Sequence, residues 1–399
     1  MSTFGLSQHL QTRRNFLRTT VFASAAAMTG KLPPLSAQES QPPGKELIIH
    51  TAEPENSEPA LASLMATEIT PVEHFYYRNH GPLPKIEPRD YKLRIDGLVE
   101  KPLELSLEEV KERFRPQTLE ATLTCAGNRR KEMNAIKPVS GVQWDAGAIG
   151  NARWTGASLA ELLRAAELKS EAKHVWFEGL DSIMEKDGSV GPFGGSIPIT
   201  KALARDGASL AAYAMNDALR LAPGHGFPLR MIVPGFIGAR SVKWLAKITV
   251  SDRPSPNHYV AEAYKLVQSE SRDEAAAKEP IYMFPVNAAI CTPAAGAKLK
   301  PGRITLAGYA LPSGEPGCTI ERVEISGDLG RSWLPAKLLG ASRPFAWRLW
   351  TAQIELPAGN YQYAVRATDS KGHTMPERGD WNFKGYLYNG WHRVAFEVA

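Results

Sequence analysis

Cys125, one of three cysteines in this 399-residue chain, closes the stretch TLTC and is followed at once by AGNRR, which ends in Arg129 and Arg130. Cations beside a cysteine favour the thiolate, the form that binds soft metals. Residues of similar character recur in other short loops: Arg78, Asn79 and His80 in FYYRNH, Asp181 in FEGLD, His225 and Arg230 in HGFPLR, and Arg240, Ser241 and Lys243 in GFIGARSVK. Singly, each is ordinary. A lone histidine is more often a satisfied structural group than a ligand, and a lone loop arginine is usually solvated. Together they describe a glycine-lined cationic site with one thiol, suited to an anionic cofactor and an anionic substrate. The Walker pattern and the dinucleotide fingerprint are both missing, so a nucleotide is not indicated.

Such residues need a rigid frame. In LEATLTC, Leu119, Ala121, Leu123 and Cys125 fall on one phase and Glu120, Thr122 and Thr124 on the other, which predicts a strand ending at the cysteine. AGN supplies the turn after it. YKLRIDGLV reads as a hairpin strand turning at Asp96-Gly97. SLEEVKERF opens with Ser106 three residues before Glu109, a capping box. SLAELLRAAEL predicts a helix capped by Ser158. HVWFEGLD, FPLRMIVP and VKWLAKITV read as strands, the last two joined by GFIGARS, and SIPITKALA passes from extended chain into helix. Short helices mixed irregularly with strands argue an α+β domain. From about residue 285 the style changes to short strands divided by Gly, Pro, Asp and Asn turns, as in an all-β sandwich of immunoglobulin type. The expected organisation is a leader over 1–37, an extended, polar lead-in over 38–70, a catalytic α+β domain over 71–280 and the sandwich over 281–399.

Composition sets outer limits. Hydrophobic residues make up 43% and charged residues 22% of the chain, as in an ordinary globular protein. The formal charge is +5, but residues 1–37 hold Arg13, Arg14, Arg18 and Lys31 and no acid, which leaves about +1 for the remainder. No concentrated cationic face is expected, so nucleic acid is not an indicated partner. TRRNFLRTTVFASAAAMTG carries twin arginines before a short apolar run, and LSAQ follows as a cleavage region after Ala37. This pattern predicts export of an already folded protein to the periplasm by the twin-arginine route, without membrane insertion. Three cysteines without a C-x-x-C suggest neither a disulfide scaffold nor a structural zinc site nor covalent haem. Cys291 and Cys318 could pair, although free cysteines are commonly buried as small hydrophobes.

FYYRNH, TLTCAGNRR, GVQWDAGAIGNARWTG, FEGLD, HGFPLRMIVPGFIGARSVKWL and NGWHRV, in this order, resemble the sulfite oxidase family of molybdenum enzymes. The resemblance spans nearly the whole chain after the leader. It implies a molybdopterin-binding domain followed by an immunoglobulin-like dimerisation domain, and hence a homodimer. It implies one molybdenum-molybdopterin per chain, with Cys125 as the protein ligand of the metal. Asn79, His80, Asp181, His225, Arg230, Ser241 and Lys243 would hold the pterin and its phosphate. Arg78, Arg130 and Trp144 would line the anion pocket, with Arg393 as a further cation and Tyr264 beside the metal; Tyr259 competes for that last place. The implied reaction is oxygen-atom transfer to sulfite, a small anion that arginine forks can dock.

The stretch between leader and FYYRNH is too short for a haem domain of cytochrome b5 type, and no flavin domain is evident. The expected chain therefore carries neither haem nor flavin and passes electrons to a separate c-type cytochrome, as a sulfite dehydrogenase. Two relatives with the same metal domain are alternatives: the molybdenum subunit of a thiosulfate-oxidising system, acting on sulfane sulfur, and a periplasmic sulfoxide reductase. A non-catalytic binding protein is the alternative from outside the enzymes.

Overall fold

The computed structural model describes residues 47–185 and 188–399. The predicted leader lies outside these residues. Among them, no helix is long and apolar enough to cross a membrane.

Two sheets build the first domain. One is five-stranded, in the order β11 (Gly194–Pro198), β8 (His174–Gly179), β14 (Leu245–Ser251), β4 (Leu93–Gly97) and β5 (Leu103–Leu105); β14 and β4 run parallel and the other pairs antiparallel. The other is antiparallel, in the order β13 (Arg230–Ile232), β12 (Leu210–Met215), β7 (Ile149–Ser158) and β6 (Pro116–Thr124). Leu93, Ile95, Val175, Phe177, Ile248 and Val250 face a core shared with helices α1 (Leu107–Arg113) and α3 (Leu159–Ala165). The capping box of α1 forms on both sides: the Ser106 amide donates to Glu109 at 2.8 Å and the Glu109 amide to the Ser106 hydroxyl at 3.1 Å. Ser158 does not cap α3. It is the last residue of β7, in register with Leu210, and its conformation serves the ladder.

A second core lies against the four-stranded sheet and contains Phe75, Tyr76, Leu123, Cys125, Trp144 and Trp154. Strand β6 ends at Thr124, and the Cys125 amide still donates to Ala148 at 2.9 Å, so the cysteine is anchored as the predicted alternation required. The other phase is not turned to water. The Thr122 amide bonds Phe345, and its hydroxyl accepts from the Trp347 amide at 2.8 Å, so this end of β6 is covered by the second domain.

The lead-in departs from expectation. Leu47–Thr51 (β1) and Asn56–Pro59 (β2) pair antiparallel, and Tyr77–Arg78 (β3) adds a third strand. Asn56, Ser57 and Glu58 are buried. Four residues reading NSEP offer no apolar period, because their burial serves polar contacts to the site. The polar connection over 265–284 likewise contains a short helix, α5 (Arg272–Ala277), capped by Ser271.

No helix follows α5 among the described residues. Two sheets pack face to face, one of Asn287–Thr292 (β15), Gly302–Leu311 (β17), Arg348–Leu356 (β21) and Lys337–Leu338 (β20), in that order. The other holds Lys298–Leu299 (β16), His392–Val398 (β23), Gly359–Asp369 (β22), Ile320–Ser326 (β18) and Leu334–Pro335 (β19). Ile290, Leu306 and Trp350 from the first meet Val323, Val365 and Phe396 from the second, forming the core of a sandwich. The three cysteines are unpaired and buried.

Candidate active site

Loops at the strand ends converge on one cleft with about 700 Å³ of empty volume. Arg78, His80, Cys125, Asp181, His225, Arg230, Ser241, Lys243 and Tyr264 all line it, with Phe75, Tyr76, Phe193 and Trp244 as apolar and aromatic walls.

The cysteine is presented by a tight turn. The Asn128 amide bonds Cys125 O at 3.0 Å, and the Gly127 amide points at Sγ at 3.4 Å. Only 8% of Cys125 is exposed, and that part faces the cleft.

Three cations line the same cleft, Arg230 buried and Arg78 and Lys243 partly buried. Lys243 donates to Asn79 Oδ1 and to Gly224 O, the latter at 2.9 Å. Arg230 donates to His225 O at 2.9 Å and Ser241 O at 3.0 Å. Arg78 donates to Asn56 Oδ1 at 3.1 Å, to Asn79 O and to His80 Nδ1 at 3.3 Å. Among the lining residues, the one carboxylate is Asp181, which accepts from the Phe193 amide at 3.1 Å and which burial holds above the usual carboxylate range. Burial pushes Lys243 well below its ordinary value, helped by Arg230 close by, and Arg230 down to about 10. Uncompensated buried cations are costly. This wall is therefore built for an anionic occupant.

The histidines are neutral. His225 is pushed down to about 3 by burial and then by Lys243 and Arg230. Its ring stacks on Tyr77, centroids 4.4 Å apart, and Nε2 lies 3.2 Å from Val72 O, so Nε2 carries the proton and Nδ1 is left as acceptor. His80 is likewise held well below its usual value by burial and by Arg78. An arginine donates only, so Nδ1 of His80 accepts and Nε2–H donates to the Tyr264 hydroxyl at 2.9 Å. The proton of Tyr264 is then free to point into the cleft. Burial raises the Tyr264 phenol, so it stays protonated.

Not all the predicted residues meet there. Asn79 stands just behind the wall, on Lys243. Arg130 lies against the cysteine turn but outside the lining set. It donates to Val142 O at 2.9 Å and Lys384 O at 3.1 Å and stacks on Tyr386, 5.2 Å from the ring. Trp144 is fully buried in the same core as Cys125, and its Nε1–H has no partner among the described residues. Arg393 is not brought to the cleft. It is the second residue of β23, where its guanidinium pairs with Glu377 at 3.4 Å and stacks on Trp391. Arg129, although adjacent to Arg130, is wholly buried and turns away to Glu132 at 2.6 Å and Asn287 at 2.8 Å.

Several site residues gave no separate signal. Tyr76 sits inside FYYRNH as an apparent filler, and Asn56 sits in a segment without pattern. Tyr386 belongs to the second domain, yet it stacks on Tyr264 with centroids 5.2 Å apart. Tyr259, the competitor of Tyr264, packs on His80 at 4.4 Å but does not line the cleft.

The residues fit a molybdopterin group on this geometry: one sulfur for a metal, buried cations and a neutral imidazole for a phosphate, and glycines 226 and 238 where a side chain would meet Arg230 and Tyr76 respectively. Comparison with known proteins agrees. Residues 80–259 match the oxidoreductase molybdopterin binding domain, and residues 278–399 match the Mo-co oxidoreductase dimerisation domain. A sulfite oxidase of Gallus gallus is 40% identical over 374 residues, covering 90% of this chain and 79% of that protein. A sulfite oxidase of Arabidopsis thaliana is 36% identical over 396 residues, covering 93% of this chain and 99% of that protein. In fold, the sulfane dehydrogenase SoxCD of Paracoccus pantotrophus superposes with a TM-score of 0.75 at 24% identity, covering 91% of this chain and 95% of that one.

Proposed function

The chain belongs to the sulfite oxidase family of molybdopterin-binding oxidoreductases, and we propose that it oxidises sulfite to sulfate and passes the electrons singly to an external c-type cytochrome. The observation that carries this reading is the convergence of one thiol and three cations, Arg78, Arg230 and Lys243, on a cleft lined by a single carboxylate. Cys125 is the metal ligand. Asn79, His80, Asp181, His225, Arg230, Ser241 and Lys243 hold the pterin and its phosphate. When bound, the cofactor supplies oxygen-atom transfer and accepts two electrons; the overall change is sulfite plus water to sulfate, two protons and two electrons.

The chain's own residues do the rest. Arg78, which lines the cleft, draws the sulfite anion toward Cys125, and Arg130 adds positive charge from behind the cysteine turn. Arg78 holds His80 in the tautomer that donates to Tyr264, and Tyr264 thereby keeps its own proton as a donor into the cleft. Phe75, Tyr76 and Phe193 exclude water from the wall, which strengthens each of these interactions. The same reading includes a homodimer through the sandwich domain and export by the twin-arginine route.

Sulfite-dependent reduction of cytochrome c or ferricyanide by the purified, molybdenum-loaded protein tests this function. Turnover with sulfite is expected, with about one molybdenum per chain. Turnover only with protein-bound sulfane sulfur would replace this reading with the sulfane dehydrogenase one.

A further inference from the structure

Among the described residues, one cluster of metal-ligating side chains stands outside the cleft, in the sandwich domain. Asp369 ends β22, and Cys318 lies two residues before β18. These strands pair with Ile320 opposite Asp369, and the link is reinforced beyond the ladder by Ser370 N to Thr319 O at 2.8 Å and Thr319 N to Ser370 Oγ at 3.1 Å. After Asp369 the chain reverses at Gly372, whose φ of +86° suits glycine, and the His373 ring returns to the carboxylate with Nδ1 3.1 Å from both oxygens. Ligand atoms of Cys318, Asp369 and His373 all lie within 4.8 Å of one another. A tetrahedral zinc with such ligands needs separations of about 3.3–3.8 Å, given bond lengths of about 2.0–2.3 Å. Closing that difference takes only small side-chain rotations.

We propose that Cys318, Asp369 and His373 form a divalent transition-metal site of zinc type in the sandwich domain, separate from the molybdenum cleft. The donor set is soft sulfur, imidazole and carboxylate, which selects zinc over calcium or magnesium. Glu315, three residues before Cys318, sits at the other ring nitrogen, its Oε1 3.4 Å from His373 Nε2, and pairs with Lys371 at 2.9 Å; it orients the ring, and a water would complete the tetrahedron. The chain thus brings Cys318 from one loop and Asp369 with His373 from the neighbouring one. Second-sphere support is in place. The carboxylate of Asp369 accepts main-chain amides from Ser313, Lys371 and His373 at 3.0–3.2 Å, and the Ser313 hydroxyl donates to Cys318 Sγ at 3.4 Å. Cys318 and Asp369 are wholly buried while His373 is 45% exposed, which gives the ion a path in from solvent. Burial raises the Cys318 thiol, so metal entry displaces one proton from sulfur and one M–S bond forms without any redox change.

The test titrates the folded, molybdenum-loaded protein, after mild chelation, with cobalt(II) as an optical probe and with zinc(II) by calorimetry. One ion per chain and a thiolate-to-cobalt charge-transfer band are expected. Cys318→Ser should abolish the band, and His373→Ala, at a half-exposed ring, should weaken zinc binding at least about tenfold. Cys291→Ser should leave both unchanged. The proposal fails if the wild-type protein shows no band, or if the band survives in Cys318→Ser. Because the ring of His373 is partly exposed, its variant tests the site even if the buried cysteine variant does not fold.

Discussion

At the scale of single residues, the cleft separates groups that carry charge for the fold from groups that carry it for an occupant. Arg129 belongs to the first kind and Lys243 to the second. Lys243→Met removes two hydrogen bonds but also a buried, underneutralised charge. The melting temperature of the cofactor-free variant is therefore expected to equal or exceed that of the wild type, while cofactor retention falls sharply. Thermal melts of both forms, with molybdenum content, check the pair of signs; a variant equally destabilised in both states would mark Lys243 as structural. Cys125→Ser should lose turnover with the fold kept, because serine is nearly isosteric and the one hydrogen bond to Sγ among the described residues is the long one from the Gly127 amide. Circular dichroism beside the sulfite assay decides this, and an active serine variant would remove the ligand assignment. Arg78→Gln should chiefly raise KM for sulfite, because an anion contact is lost while the cysteine stays in place. The types of these residues were legible from the sequence, because cations next to a thiol are unusual in loops. Direction was not. Of two adjacent arginines, only Arg130 lies against the site, since Arg129 takes a left-handed φ of 66° that points it into the domain boundary. Arg393 belongs to a readable block yet faces Glu377, because strand alternation carries it away from the core.

At the scale of elements, periodic segments could be read and polar ones could not. Strand β6 and helix α1 carry their signals locally, in alternation and in a capping box. The pairing of β1 with β2 carries none, since Asn56 is buried to hold Arg78 and the Asn79 amide rather than to fill a core. The same logic governs the segment between β6 and β7. It has little regular structure beyond the short helix α2 (Arg130–Ile136), and it is pinned from outside. Tyr309 of β17 donates to Ala146 O at 2.9 Å and accepts from Asn128 Nδ2 at 3.2 Å, and Asn128 in turn accepts from the Ala148 amide at 3.0 Å. Tyr309→Phe should cost on the order of 1–3 kcal/mol, because buried partners on both sides lose a bond. Urea denaturation measures the cost. If the segment positions Cys125 as argued, molybdenum retention should fall with it; an unchanged retention would show that the cysteine is held by β6 alone.

At the scale of the whole molecule, the second domain is part of the site and not only an appendage. Its loop over 382–388 lays the Leu387 amide on Ala126 O at 2.7 Å and the Tyr386 ring on Tyr264. The change of style near residue 285 announced two domains, but no local pattern told that the loop before the last strand returns to the cysteine turn. Buried neutral histidines on both sides tie this assembly to pH. His225 lies in the cleft, and His392 lies where the domains meet, its Nδ1 accepting the Ile290 amide at 3.2 Å. Burial pushes His392 down to about 4 and, with Lys243 and Arg230, His225 to about 3. In the unfolded chain both titrate near 6.5. Between these values the unfolded state binds more protons than the folded one, so stability rises with pH across the window. Their contribution is complete above pH 6.5 and is lost as pH falls toward 4. For the cofactor-free protein, each group should steepen the acid side by on the order of 1 kcal/mol per pH unit. Denaturation curves at pH 7, 6 and 5 give that slope. His392→Asn keeps an acceptor for the Ile290 amide without a titrating ring and should flatten it. An identical slope in the variant would mean that His392 does not contribute to the acid dependence of stability.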